Sequence, residues 1–384
     1  MNKNEKKSIK SYLKKYAMFI ALISITILFQ ITTRGILLKP MNISKLIMQN
    51  SYVLILAIGM LPVILTGNID LSVGSILAIV SAIAGVMIVS YGMPVWLTII
   101  VCLMVGILIG MWQGFWISYV GIPSFIVTLA GMLIFRGLTL VMLKGNTLAP
   151  FPKSYQFMAA EFLTRDKELV TLVSLGVGIV FAGLVGAFEL KKRSRELSYN
   201  IPSQTRTGFL VELGLKLVAI VFSAFWLSRY NGIPMVLLLL VVLVAIYTYI
   251  TNRTVIGRSI YAFGGNERAA ELSGIKTKRV FFLTYVNMGL MAAIAGIIFS
   301  GRLNAATPSA GSGFELDAIA ACYIGGASAS GGVGTIIGAV IGGLVMGVLN
   351  NGMSIMGIGI DWQQAIKGLV LLAAVAFDIL NQKE

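Results

Sequence analysis

The chain has no histidine and only two cysteines in 384 residues. Without imidazole, Ser-His triads, His-ligated metals and most membrane metalloprotease designs are excluded. Cys102 and Cys322 each sit in an apolar run, so there is neither a disulfide framework nor a zinc pattern. Gly-Lys followed by Ser or Thr occurs nowhere, which rules out a P-loop and ATP bound in that manner. No nucleophile-plus-base pair is evident, so a membrane enzyme is disfavoured. Charge is scarce as well. Asp, Glu, Lys and Arg make up 12% of the chain, against roughly 25% in soluble domains.

What is abundant is apolar: 57% of residues are hydrophobic. This is an all-α integral membrane protein, a polytopic helical bundle forming one domain over residues 1–384. The net charge of +15 is not spread as a nucleic-acid surface. Of 30 Lys and Arg, 17 lie in residues 1–15, 191–206 and 253–279. Basic clusters beside apolar spans mark those segments as cytoplasmic, including a basic N-terminal tail over 1–15. No small-residue cleavage site follows the first apolar run, so it reads as a retained span.

The apolar runs predict about twelve spans: 16–31, 47–66, 76–90, 95–119, 124–143, 169–190, 210–227, 234–249, 280–300, 314–326, 331–350 and 362–379. The segment 314–326 falls short of the roughly 20 residues a straight span needs. If it is re-entrant, ten or eleven spans remain and the C-terminus changes side; the tail Gln382-Lys383-Glu384 is too weak to decide. Gly338 with Gly342 and Gly343 with Gly347 are pairs four apart, a spacing that lets helix backbones approach.

Two stretches read as broken helices, GNIDLSVGS from Gly67 and FELDAIAACYIGGASASGG from Phe314, and the second weakly echoes the first. Such breaks are tolerated in membranes where protein or water satisfies the backbone, and paired breaks suggest pseudo-symmetric halves. Asn68 and Asp70 in the first are candidates for a pathway or gate, with N-capping of the next helix as the compatible structural reading. Arg136, inside its span, needs carbonyls or a carboxylate, with Asp70, Glu315 and Asp317 as candidates. Asn350 and Asn351 are pore or gate candidates or a helix end beside Gly352. The remaining intramembrane amides, Gln113, Asn287, Gln363 and Gln364, are few. Weak contacts favour conduction, so no tight solute pocket is expected. Glu212 and Lys216 are spaced for an i,i+4 pair, and Lys367 is expected to reach Asp361 or snorkel.

The polar island 253–279 contains a short helix. Gly264-Gly265 is expected to turn, Asn266 to N-cap, Glu267 to complement the dipole, and Gly274 to close the helix as C′. A two-turn helix between spans has too little apolar surface to fold for its own sake and is expected to be touched by another protein.

LTGNIDLSVGS, GIPSFIVTLAGMLIFRGLT, GRSIYAFGGNERAAELSGIKTKR, FELDAIAACYIGGASASGG and VLNNGMSIMGI, in that order, resemble the permease subunits of bacterial ABC importers for monosaccharides. The resemblance covers most of residues 45–145 and 235–380. Ribose-type members lack the additional spans near 169–227, so the chain is more similar to xylose and multiple-monosaccharide permeases. The resemblance implies a homodimeric channel in the bacterial cytoplasmic membrane, served by an extracytoplasmic sugar-binding protein and by ABC ATPase subunits that bind ATP and magnesium. It implies no cofactor and no catalytic residue in this chain. It further implies that Gly257–Gly274 contains the coupling helix, with Gly264, Gly265, Asn266, Glu267, Arg268, Ala269, Ala270, Glu271, Leu272 and Gly274 as its residues. Ala269, Ala270 and Leu272 would be the apolar docking side, and Arg268 and Glu271 would pair across the interface. The alternative is an ion-gradient-driven secondary transporter, which requires intramembrane charges clustered as an ion site.

Overall fold

A computed structural model describes residues 3–164, 166–199 and 205–382. The basic side chains of 1–15, the part of the 191–206 segment formed by 200–204, and the terminal Lys383 and Glu384 lie outside the described residues. The helices are α1 (Lys3–Thr32), α2 (Pro40–Leu65), α3 (Val73–Gly85), α4 (Val95–Phe115), α5 (Ser124–Leu143), α6 (Lys153–Ala160), α7 (Val170–Ser198) and α8 (Arg206–Ser228). They continue with α9 (Met235–Arg253), α10 (Val255–Gly265), α11 (Glu267–Leu272), α12 (Thr277–Leu303), α13 (Phe314–Ile324), α14 (Ile336–Ile355) and α15 (Ile360–Gln382). Single π-helical turns extend α3 over Val86–Ser90 and α4 over Trp116–Val120. Among the described residues, nine helices (α2, α3, α4, α5, α7, α8, α9, α12 and α14) are long and apolar enough to cross a membrane.

α2 is the axis of the bundle. Every residue from Val53 to Leu65 is buried, as expected of a helix apolar on all sides. α12 passes α4 at backbone distance: a Cβ on Gly289 would overlap the carbonyl of Gly106, and one on Gly110 would overlap that of Tyr285. The two glycine pairs of α14 split between neighbours. Gly338 and Gly342 receive the backbone of α13 at Gly325 and Ala321, while Gly343 and Gly347 receive Leu54 and Asn50 of α2. Their spacing serves packing inside the subunit.

The face carrying 253–279, called here the loop face, also carries the end of α7, where Lys191 and Arg195 share a cleft with Arg253. Met18 of α1 reaches it too, beside Gly326. Thus the basic ends of α7 and α9 lie on one side, as the charge of those two segments predicts. The opposite face is held by backbone bridges Leu148–Ala306 and Phe162–Pro234, by the Trp226 indole donating to the Leu38 carbonyl at 2.9 Å, and by Tyr155–Ser300 at 2.9 Å.

Between Ala306 on that face and Gly332, which donates to the Leu65 carbonyl on the loop face at 2.9 Å, the chain crosses with only the 11 residues of α13 as helix. Consecutive turns over 308–313 lead into it. By length and apolarity the described residues supply nine spans, α13 not among them, against about twelve expected. Three expectations need correction. α2 starts at Pro40, seven residues before the predicted 47, because Pro at N1 is preset for a helix. α7 continues to Ser198, so most of the expected 191–206 loop is helix. Between the predicted spans 124–143 and 169–190 the chain also forms α6. The two broken motifs meet: a Cβ on Gly74 would overlap the Gly311 carbonyl, just before α13.

Candidate functional site

α10 folds back on the end of α9. Thr254 caps it, its hydroxyl accepting the Gly257 N–H at 3.2 Å, and only a glycine at 257 clears the carbonyls of Ile250 and Thr251. Ile260 and Phe263 are buried beneath α10. Gly264 and Gly265 are the last residues of this helix rather than the expected turn. Asn266 ends α10 and begins α11, its side chain accepting the Ala269 N–H at 2.9 Å. α11 closes with a Schellman pair, Gly274 N–H to Glu271 and Ile275 N–H to Ala270, with Gly274 at φ +84°. Both caps were legible because each is a local, side-chain-specific signal.

Gly264 has a long-range reason to be glycine. Its Cα faces the Leu65 carbonyl at the end of α2 and the Gly332 amide. Gly331 and Gly332, at φ +84° and +72°, lie in the bend between α13 and α14 against Gly264, Gly265, Leu65 and Gly67. The Tyr261 hydroxyl donates to the Gly334 carbonyl at 2.7 Å, and burial there raises its pKa above the ordinary tyrosine value. The loop helix pair thus sits on a junction of bare backbone from both broken stretches. Spacing gave no hint of it, because Leu65, Gly264 and Gly332 are far apart in sequence.

α11 itself is uncovered. Glu267, Arg268, Ala269, Glu271 and Gly274 are exposed, and Leu272 is 88% exposed. Ala270 is not on that side. It is buried at 4% against its own chain, so the outward apolar surface is Ala269 and Leu272 alone.

The membrane-buried candidates do not form one cluster. Asp70 is fully buried, one oxygen accepting both the Ser72 N–H at 2.8 Å and its hydroxyl at 2.6 Å. That is an Asx turn into α3, which begins at Val73. Gln113 donates to the same Ser72 hydroxyl at 2.7 Å. Asn68 binds the Thr66 carbonyl and receives the Ser124 hydroxyl, both at 2.8 Å.

Arg136 takes carbonyls as its partners, Pro308 at 3.3 Å and Ala310, with Glu315 as the nearby charge. Asp317 pairs instead with Lys367 at 2.9 Å, which overturns the expected Lys367–Asp361 pair. Both residues line a cavity of about 380 Å³ that also includes Gln364. Asn287 is bound by the Tyr247 hydroxyl, and Gln363 by the Ile358 carbonyl at 2.8 Å.

Asn351 pairs with Asn42 at 2.8 Å. With Asn350 it lines a cavity of about 220 Å³ between α2 and α14 that includes Gln49, Asn50, Tyr52 and Arg302. Sequence reasoning missed those four. Asn50 and Gln49 fall at the polar start of an otherwise apolar run, which was the available signal.

Residues 42–375 match the family described as the branched-chain amino acid transport system / permease component. The chain is 42% identical to the xylose transport system permease protein XylH of Escherichia coli K12, over 97% of this chain and 93% of that one. It is 39% identical to XylH of Haemophilus influenzae, over 97% and 98%. With the ribose import permease protein RbsC of Bacillus subtilis it shares 35%, over 95% and 93%. No solved structure matches it. The chain belongs to the permease-component family of ABC-type importers, in the company of the xylose and ribose permeases.

Proposed function

We propose that this chain is the channel subunit of an ATP-driven importer that moves a monosaccharide, xylose or a related pentose or hexose, into a bacterial cell. Two copies form the channel. A sugar-binding protein delivers cargo on one side, and ABC ATPase subunits, holding ATP and magnesium, engage the loop face, which is cytoplasmic along with the N-terminus. The ATPases close on nucleotide, move α11, and switch the channel between its two open sides.

The observation that carries this reading is the exposed, double-capped α11 seated on the Gly264–Leu65–Gly332 junction. A helix that its own subunit does not need is attached directly to both broken stretches. The similarity to sugar permeases supports the cargo class. The fixed partners of the intramembrane charges, Arg136 on carbonyls and Asp317 on Lys367, speak against an ion-coupled site.

The test is uptake of labelled xylose into proteoliposomes containing this chain, with and without its ATPase, fed by the binding protein. Uptake should require ATP and the ATPase. Uptake by the permease alone on a proton or sodium gradient would overturn the proposal.

A further inference from the structure

Several intramembrane polar side chains are engaged by the chain itself: Arg136 by carbonyls, Asp317 by Lys367, Asn287 by Tyr247. The cavity of about 220 Å³ between α2 and α14 differs. Gln49, Tyr52, Arg302 and Asn350 all line it, and among the described residues none of these four side chains has a hydrogen-bond or ion-pair partner. The Tyr52 ring is fixed, stacked on Phe314 with centroids 4.3 Å apart and edge-on to Phe299 at 5.2 Å. Its hydroxyl is left without a protein partner.

The cavity belongs to the half of the bundle away from the loop face. Gln49 lies 16 residues before the loop-face end of α2 at Leu65, and Asn350 lies 14 beyond the loop-face start of α14 at Ile336. At about 1.5 Å per residue those offsets come to roughly 20–25 Å. Arg302 is next to the last residue of α12, on the opposite face. Toward the loop face the cavity is stopped. Asn50 donates to the Gly343 carbonyl at 2.6 Å, and Leu54 packs on Gly343 beneath. Gln49 and Ser354, both exposed, stand at its mouth.

No carboxylate lines this cavity, so it offers little to a cation, and a single guanidinium is its only charge. Amides present a donor and an acceptor side by side, as a sugar hydroxyl needs, and the arginine fork adds donors. The volume is below the roughly 300–1,000 Å³ of drug-sized pockets, which suits one monosaccharide rather than a chain of them.

We infer that this cavity is a sugar site: one neutral monosaccharide rests in it on the side from which cargo arrives, its hydroxyls bound by Gln49, Tyr52, Arg302 and Asn350. This rests on the reading of the chain as a sugar permease. The contacts are few and the mouth is open, so the sugar is held weakly, as conduction requires.

The test pairs two measurements. One is saturation-transfer NMR of xylose and of ribose with the full chain in phosphatidylcholine nanodiscs. The other is ATP-driven uptake of the same labelled sugars by the chain reconstituted with its ATPase and binding protein. Wild type should give a transfer signal with the sugar it takes up. Gln49→Met combined with Asn350→Leu removes both amides and keeps their bulk. It should lower signal and uptake roughly tenfold, at an unchanged melting temperature. Gln49→Trp, at an exposed position, should block the mouth and lower both, and it decides the matter if the double variant melts early. Wild-type uptake with no transfer signal, equal signal in the variants, or lost uptake with the signal intact would each overturn the site while leaving the transport reading standing. A wild-type assembly that takes up no sugar overturns the transport reading, and the site with it.

Discussion

α2 and α8 are apolar helices of similar length, 26 and 23 residues, yet 78% of the most apolar window of α2 is buried in the chain and only 11% of that of α8. Apolarity does not separate them. What separates them is how many neighbours they have: α2 packs on α12, α13, α14 and α9, with its Gly59 against Met291 and its Leu54 and Asn50 against Gly343 and Gly347, while α8 leans mainly on α7, where Gly178 meets Ala224. In lipid, burial follows from where a backbone can approach, because moving an apolar side chain from lipid to protein gains little. The central bundle should therefore be sensitive to added atoms on every side, and α8 tolerant of change at the many positions that face away from the chain.

The strongest way to break this contrast is Gly264→Val. Its side chain would occupy the place of the Leu65 carbonyl and the Gly332 amide. Overpacking of this kind costs about 1–3 kcal/mol or more. Melting temperature should fall, and ATP-driven uptake should drop to background; normal uptake would remove the junction from the mechanism. Gly265→Pro should have a similar effect on uptake, since it removes an amide from the last turn of α10. Glu267→Pro should not, because Glu267 is the first residue of α11, where proline is tolerated.

Next comes Gly342→Leu, which would force α13 off α14 at Ala321. We expect about 1–3 kcal/mol of destabilisation, read by thermal unfolding in detergent, with uptake reduced in proportion. Leu272→Glu sharpens the contrast differently. At 88% exposure the change should leave melting unchanged yet lower the stimulation of the ATPase by the permease. Unaltered stimulation would exclude Leu272 from the interface.

Asp317→Asn should cost about 2 kcal/mol by leaving Lys367 without its partner. Asp317→Asn with Lys367→Met should recover part of that loss in a double-mutant cycle. The smallest effect belongs to the outer pair. Lys216, 42% exposed, bridges Glu189 and Glu212, both at 2.9 Å. Lys216→Ala should change stability by less than about 1 kcal/mol.

The sequence disclosed whatever is encoded within one or two helical turns. Asn266 and Gly274 as the caps of α11, Glu212 with Lys216, the glycine pairs of α14 and the sidedness of the basic clusters all follow from short-range rules. Long-range partners were hidden. Arg136 found the carbonyls of Pro308 and Ala310 because the turns before α13 aim them at α5. Lys367 found Asp317 because α15 packs along α13, which no spacing announces. The inward turn of Ala270 depends on where α12 begins, and the Asn42–Asn351 pair on the antiparallel register of α2 and α14.

The junction at Gly264 has a mechanical consequence. Contacts between side chains yield by rotamer changes, so a small push is lost in torsional slack. Leu65, Gly264 and Gly332 touch through peptide groups that have no such freedom. A shear imposed on α10 therefore meets a stiff bearing with almost no backlash, and the ends of α2 and α14 must travel with it or the joint must open.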